Sequence, residues 1–252
     1  MEATYNPKVQ RAWSMYDWAN SAYNLVITST VFPAYYINVT TAANGSDKVS
    51  FFGWQVVNSS LLNYALALAY LVIAAVSPIL SSLADLRGRK KRFMQFFCYM
   101  GSAACAGLFF FDRGAVELGI VLSIIAAIGY CGSLVFYNAY LPEIAPPEDQ
   151  DRVSAQGFSY GYVGSVLLQV VCLVLLFTMP GSTFPLRLSF LLVGIWWFGF
   201  AQITFRGLPR NKKPIAGAAR GSLFAGFGEL KKVWQQLKQL RLLKVFLVAF
   251  FC

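Results

Sequence analysis

Six uncharged runs, each long enough to reach across a lipid bilayer, constrain this chain more than any other feature. Residues 18–46, 60–84, 93–111, 118–142, 153–186 and 188–205 contain no Asp, Glu, Lys or Arg. A helix crosses the hydrocarbon in about 20 mostly apolar residues, and only helices and closed barrels satisfy their backbone groups there. Runs of this length favour helices over barrel strands. The whole chain agrees: of its 252 residues 57% are hydrophobic and 13% charged, where soluble domains carry about 25% charged residues. The longest run, 153–186, holds Pro180 and Gly181 near its end; this predicts a helix to about Met179 and then an outer turn. The first run is not a cleaved signal peptide, because it is too long, carries Asp17 at its head and lacks a small-residue cleavage site.

The charges record a topology. Lys and Arg number 21 against 11 Asp and Glu, a net +10. With the N-terminus placed inside, eighteen of the 21 fall on inner segments: Lys8 and Arg11, five between residues 87 and 92, Arg152, and ten between 206 and 244. The outer segments hold Lys48, Arg113 and Arg187. This positive-inside bias supports six spans with a cytoplasmic N-terminus in a multi-pass membrane protein. It also accounts for the basic excess without nucleic acid as a partner. The lipid bilayer is the first partner expected.

The expected organisation is a cytoplasmic lead over 1–12, a six-span all-α bundle over 13–205, and a cytoplasmic central loop over 206–244. A seventh span begins at 245 and reaches only Cys252, eight residues on. The central loop opens with a basic segment broken by Gly207, Pro209 and Pro214. Leu223, Phe227, Leu230, Trp234, Leu237 and Leu240 then recur at three and four residues, predicting a basic amphipathic helix. Such a helix suits an anionic membrane surface or the flank of a larger protein.

The residue inventory excludes most catalytic chemistry. The chain has no histidine, so imidazole triads, Cys-His pairs and HExxH zinc sites are absent. Its five cysteines, Cys98, Cys105, Cys131, Cys172 and Cys252, form no CxxC pair. They read as small apolar residues, and neither a metal nor a cofactor is expected. An enzyme is not expected.

Polar residues inside apolar runs are costly and mark function. Asp17, Asn20 and Asn24 are spaced three and four apart, and Ser21 and Thr28 extend the stripe. This face is read as a substrate or proton path, against the plainer reading of hydrogen bonding between helices. With no histidine, Asp17 is the main candidate for proton coupling. Tyr137, Asn138 and Tyr140 stand before Pro142, which ends or kinks the fourth span, and they join the same candidate pathway. Asp85, Gly88, Arg89 and Lys90, with Glu143, form a candidate cytoplasmic gate. Gly88 makes the tight turn between spans two and three. Gly157, Gly161 and Ser165 make a small-residue face suited to close helix packing.

These residues carry a resemblance. Asp85, Gly88, Arg89 and Lys90 resemble the loop motif of the major facilitator superfamily, with Ser81 in place of its leading Gly and Leu86 in place of its usual Arg. Residues 16–23 (YDWANSAY), 137–145 (YNAYLPEIA) and 153–157 (VSAQG) are similar to the vacuole-effluxer branch of that superfamily, whose autophagy-related fungal members are associated with amino-acid export. The resemblance covers essentially the whole chain. It implies a secondary transporter that moves small polar solutes, amino acids foremost, by alternating access between two six-span halves. This chain would be the N-terminal half, with the substrate between the halves and Asp85 meeting the second half. It further implies a bacterial inner membrane or a fungal vacuolar membrane. The alternative reading is a non-transporting truncated half, which needs a second half or a homodimer partner or acts as a membrane interaction protein.

Overall fold

The computed structural model describes residues 6–112 and 114–209, without the side chains of residues 42–44, 82–83 and 85–87. The expected amphipathic helix and the seventh apolar run lie outside the described residues.

Asn6 caps the first helix by accepting a hydrogen bond from the Lys8 amide at 2.9 Å, and Pro7 takes the first helical position. Residues 7–12, read from the sequence as a lead, are therefore the first turns of α1 (Pro7–Ala22). A π-helical segment, Tyr23–Thr30, then leads into α2 (Val31–Asn44), with Thr30 at φ −128° and ψ −75° at the junction. Pro33 explains the position of the π segment. It lacks an N–H and crowds the carbonyl four residues earlier, and the wider turn accommodates it. The Ser29 and Thr30 hydroxyls each bond the carbonyl five residues back, Asn24 at 2.9 Å and Leu25 at 2.7 Å.

A hairpin follows, with β1 (Lys48–Phe51) antiparallel to β2 (Trp54–Val57). It departs from an all-α expectation. Its two-residue turn, Phe52-Gly53, has both φ angles positive, 48° and 85°, as the right-handed strand twist demands. Helix α3 (Asn58–Arg87) carries Pro78 inside it. The Ala74 carbonyl, which Pro78 cannot serve, accepts from the Ser77 hydroxyl at 3.2 Å. Gly88 at φ 59° makes the turn into α4 (Lys90–Gly107). Then come α5 (Val116–Asn138), the one-turn α6 (Leu141–Ile144), α7 (Gln150–Thr178) and α8 (Phe184–Gly207).

Among the described residues, five helices are long and apolar enough to cross a membrane: Asn58–Ser81, Lys90–Phe110, Val116–Ile144, Pro147–Thr178 and Phe184–Gly207. The sequence leads to an expectation of six. The first run is helical too, but its pieces of 16, 8 and 14 residues do not count as one regular spanning helix. Packing runs α7 on α1, α1 on α8, α8 on α4, α4 on α5, and α5 on α3. Glycines set the closest approaches. A Cβ on Gly129 of α5 would stand 2.5 Å from the Gly101 Cα of α4, and one on Gly194 of α8 would stand 2.6 Å from the Ser102 carbonyl. Only 17% of the apolar window of α3 and 28% of that of α7 is buried within the chain. Apolar faces this open are a liability in water and natural in a bilayer.

Candidate functional site

Helix α1 reaches the middle of the bundle because its polar stripe is covered by α7 and α5. A cavity of about 500 Å³ opens between these elements. Trp13, Asp17, Ser21, Asn24 and Ser29 line it from the first segment, Tyr130, Leu134, Tyr137 and Asn138 from α5, and Ser154, Phe158, Gly161, Tyr162 and Ser165 from α7. Carboxylate, amide and hydroxyl groups thus share one space with aromatic rings, the mixture expected of a small-molecule site.

The centre is a hydrogen bond from the Tyr137 hydroxyl to Asp17 Oδ2, 2.7 Å long and buried. Three further contacts fix it. The Trp13 and Tyr137 rings stack with centroids 4.1 Å apart and planes 9° apart. The Trp13 indole N–H donates to the Tyr137 carbonyl at 2.9 Å. One turn earlier, the Gln10 amide donates to the Ile144 carbonyl at 3.0 Å. α1 is therefore bonded to the C-terminal end of α5 and to α6 over three successive turns.

The glycines of α7 make this possible. A Cβ on Gly157 would stand 2.5 Å from Asp17 Oδ2 and 3.0 Å from the Tyr137 hydroxyl; one on Gly161 would stand 2.5 Å from Ser21 Oγ. Gly164 stands in the same way against the Trp18 carbonyl, at 2.8 Å. Ser165 lines the cavity and donates to the Tyr162 carbonyl at 3.1 Å.

The expected pathway residues separate into two groups. Asp17, Ser21, Asn24, Tyr137 and Asn138 meet at the cavity. Asn20 and Tyr140 do not line it and are buried in the core, 1% and 3% exposed. On an α-helix Asn20 lies about 60° around the axis from Asp17, off the cavity face. Asn20 Oδ1 accepts from Ser21 at 3.4 Å, and its amide nitrogen has no partner among the described residues. Thr28 is also off the cavity, with Ser29 in its place. The π segment advances the stripe by five residues instead of four.

Sequence reasoning missed Trp13, Ser29, Tyr130, Ser154 and Tyr162. Trp13 was legible as the residue one turn before Asp17; Ser29 was not, because its place depends on the π segment. Gln169, without a role in the sequence, lies with Oε1 2.9 Å from the Thr30 hydroxyl.

The expected gate residues lie at the junction of α3 and α4 and on α6. The Lys90 ammonium is 3.0 Å from Glu143 Oε1, both side chains being half-buried. Arg89 is exposed and precedes α4. Asp85 falls in the last turn of α3.

A family model described as vacuole effluxer Atg22-like matches residues 6–252. The uncharacterized MFS-type transporter YxiO of Bacillus subtilis is 30% identical over 97% of this chain and 56% of its own length. Autophagy-related protein 22-1 of Aspergillus clavatus is 27% identical, over 82% of this chain and 47% of that protein. Autophagy-related protein 22-2 of Neosartorya fischeri is 28% identical, over 85% and 49%. The chain thus spans about half the length of these curated relatives. No solved structure matches it.

Proposed function

This chain belongs to the vacuole effluxer Atg22-like family, and from that premise we propose that it is one six-span unit of a secondary transporter for small polar solutes, amino acids foremost. The observation that carries the reading is the cavity holding Asp17, Ser21, Asn24, Tyr137 and Asn138 around the Asp17–Tyr137 hydrogen bond. A neutral amino-acid substrate offers an ammonium for Asp17 and a carboxylate for the amides and hydroxyls. The Bacillus subtilis relative is named an MFS-type transporter and the matching family model is described as a vacuole effluxer, which supports transport over the alternative of a membrane interaction protein that moves nothing.

In this reading the divided first segment, 7–44, is the first span and brings the number to six, and its N-terminus is cytoplasmic. The cavity faces a second six-span unit, supplied by the same polypeptide or by another copy. The open apolar faces of α3 and α7 support that role, since α7 lines the cavity and α3 packs on α5, which also lines it. Rocking of the two units about the cavity gives alternating access. Asp85, Gly88, Arg89, Lys90 and Glu143 form the cytoplasmic gate, with the Lys90–Glu143 pair tying α4 to α6. Asp17 is the proton carrier if transport is proton-coupled, with Tyr137 as its hydrogen-bond partner. Asn20 and Tyr140 act through packing.

The test is uptake of labelled amino acids by the reconstituted full protein. Wild type is expected to transport, Asp17→Asn to lose any dependence on a proton gradient, and Asn24→Ala to lose substrate affinity. Unchanged uptake in both variants sinks the site assignment.

A further inference from the structure

Four consecutive cations open α4, and they divide into two pairs. Lys90 and Lys91 turn toward the protein, with Lys90 on Glu143 Oε1 and Lys91 donating to the Leu208 carbonyl, each at 3.0 Å. Arg89 and Arg92 are exposed, and neither has a side-chain hydrogen bond or ion pair among the described residues. Residues 89, 92, 93, 96 and 97 recur at the spacing of one helix face. Together with Leu80 of α3, that face lines an apolar slot of about 330 Å³: Arg89 and Arg92 stand at one end, Phe93, Phe96 and Phe97 beyond them.

The slot has a fixed back wall. Phe93 and Phe97 stack on Phe136 of α5 at 5.4 and 6.0 Å, and Phe96 meets Phe97 edge-on at 5.3 Å. Phe96 is nonetheless 59% exposed, so the slot opens outward. From Arg92 to Phe96 the helix rises about 6 Å, close to the depth of the headgroup layer above the hydrocarbon. The N-terminal amides of α4 add partial positive charge beside the arginines.

We propose that this slot binds one anionic phospholipid, its phosphate held by Arg89 and Arg92 and an acyl chain lying along Leu80, Phe93 and Phe96. Guanidinium suits the phosphate because it bonds it through two N–H groups at once. Charge complementarity at the mouth and an apolar floor one turn deeper match the two parts of a lipid in the order in which a bilayer presents them. A zwitterionic lipid fits the floor and loses the net attraction at the mouth.

The experiment is native mass spectrometry of the full protein in detergent, titrated with phosphatidylglycerol or with phosphatidylcholine of the same acyl chains. Phosphatidylglycerol is expected to bind roughly tenfold more tightly or better, with about fivefold lost in Arg92→Gln. Arg92→Lys should keep the preference. Arg206→Gln, an exposed cation at the end of α8, should leave it unchanged. Phe96→Ala should weaken both lipids. Helix content by circular dichroism identifies any variant that fails to fold, and Arg92→Lys then carries the comparison. Equal binding of the two lipids overturns the proposal. So does an equal effect of Arg206→Gln and Arg92→Gln, or displacement of the lipid by inorganic phosphate as effective as displacement by phosphatidylglycerol itself.

Discussion

Tyr137 donates its hydroxyl proton to Asp17 Oδ2 at 2.7 Å, joining α5 to α1 across 120 residues of sequence. The same tyrosine is stacked on Trp13 and accepts its indole N–H through the main chain. The ring and the hydroxyl can therefore be tested apart. Tyr137→Phe keeps the stack and leaves the Asp17 carboxylate without this donor. A lost hydrogen bond to a charged group costs about 1.5–3 kcal/mol. Thermal unfolding in detergent should show that loss, and Asp17→Asn made on top of Tyr137→Phe should cost less than Asp17→Asn alone.

The glycines that set helix approach should rank by what a methyl group would meet. Gly129→Ala drives a Cβ into the Gly101 backbone at 2.5 Å, and backbone cannot turn aside; about 1–3 kcal/mol of destabilisation is expected. Gly157→Ala meets the end of the Asp17 side chain, which can move, so its larger effect should be on substrate affinity. Gly199→Ala on α8 meets nothing within 4 Å and should be neutral or stabilise by up to about 1 kcal/mol. Melting midpoints of the three variants check the order.

The pair Lys90–Glu143 should show a measurable coupling. Its side chains are 21% and 24% exposed, between the open-surface and buried cases. A double-mutant cycle with Lys90→Ala and Glu143→Ala should return about 1 kcal/mol. Exchanging the two residues, Lys90→Glu with Glu143→Lys, should recover part of what Lys90→Glu alone loses. A coupling of zero by chemical unfolding would remove the pair from the gate.

The hairpin turn carries avoidable strain. Phe52 sits at φ 48°, where a side chain is disfavoured and Asn is tolerated better. Phe52→Asn should therefore stabilise the hairpin by about 1 kcal/mol, and Gly53→Ala should destabilise it. Amide exchange at the paired residues Val49 and Val56 reports both.

Much of the fold is legible locally. Uncharged runs place the helices after the first, Pro180 and Gly181 mark the end of α7, and Gly88 marks the turn into α4. Each of these rests on the chemistry of a few adjacent residues. The first segment is less legible. A helical period of 3.6 throughout its polar stripe brings Asn20 and Thr28 to the face of Asp17. The π segment before Pro33 gives Ser29 that place, and Asn20 is buried in the core instead.

The sequence by itself determined the membrane-helical character of the chain, its family, and which residues carry polarity into apolar helices. The helical character and the polar positions follow from composition along short stretches, where transfer into hydrocarbon is decided residue by residue; the family follows from motif residues such as 16–23 and 137–145. Only the tertiary structure decided which polar residues meet. The meeting of Asp17, Ser21, Asn24 and Ser29 with Tyr137 and Asn138 depends on the rotation of three helices about their own axes. That rotation is set by contacts such as Gly157 against Asp17 and Trp13 against Tyr137, between residues more than a hundred positions apart in the chain.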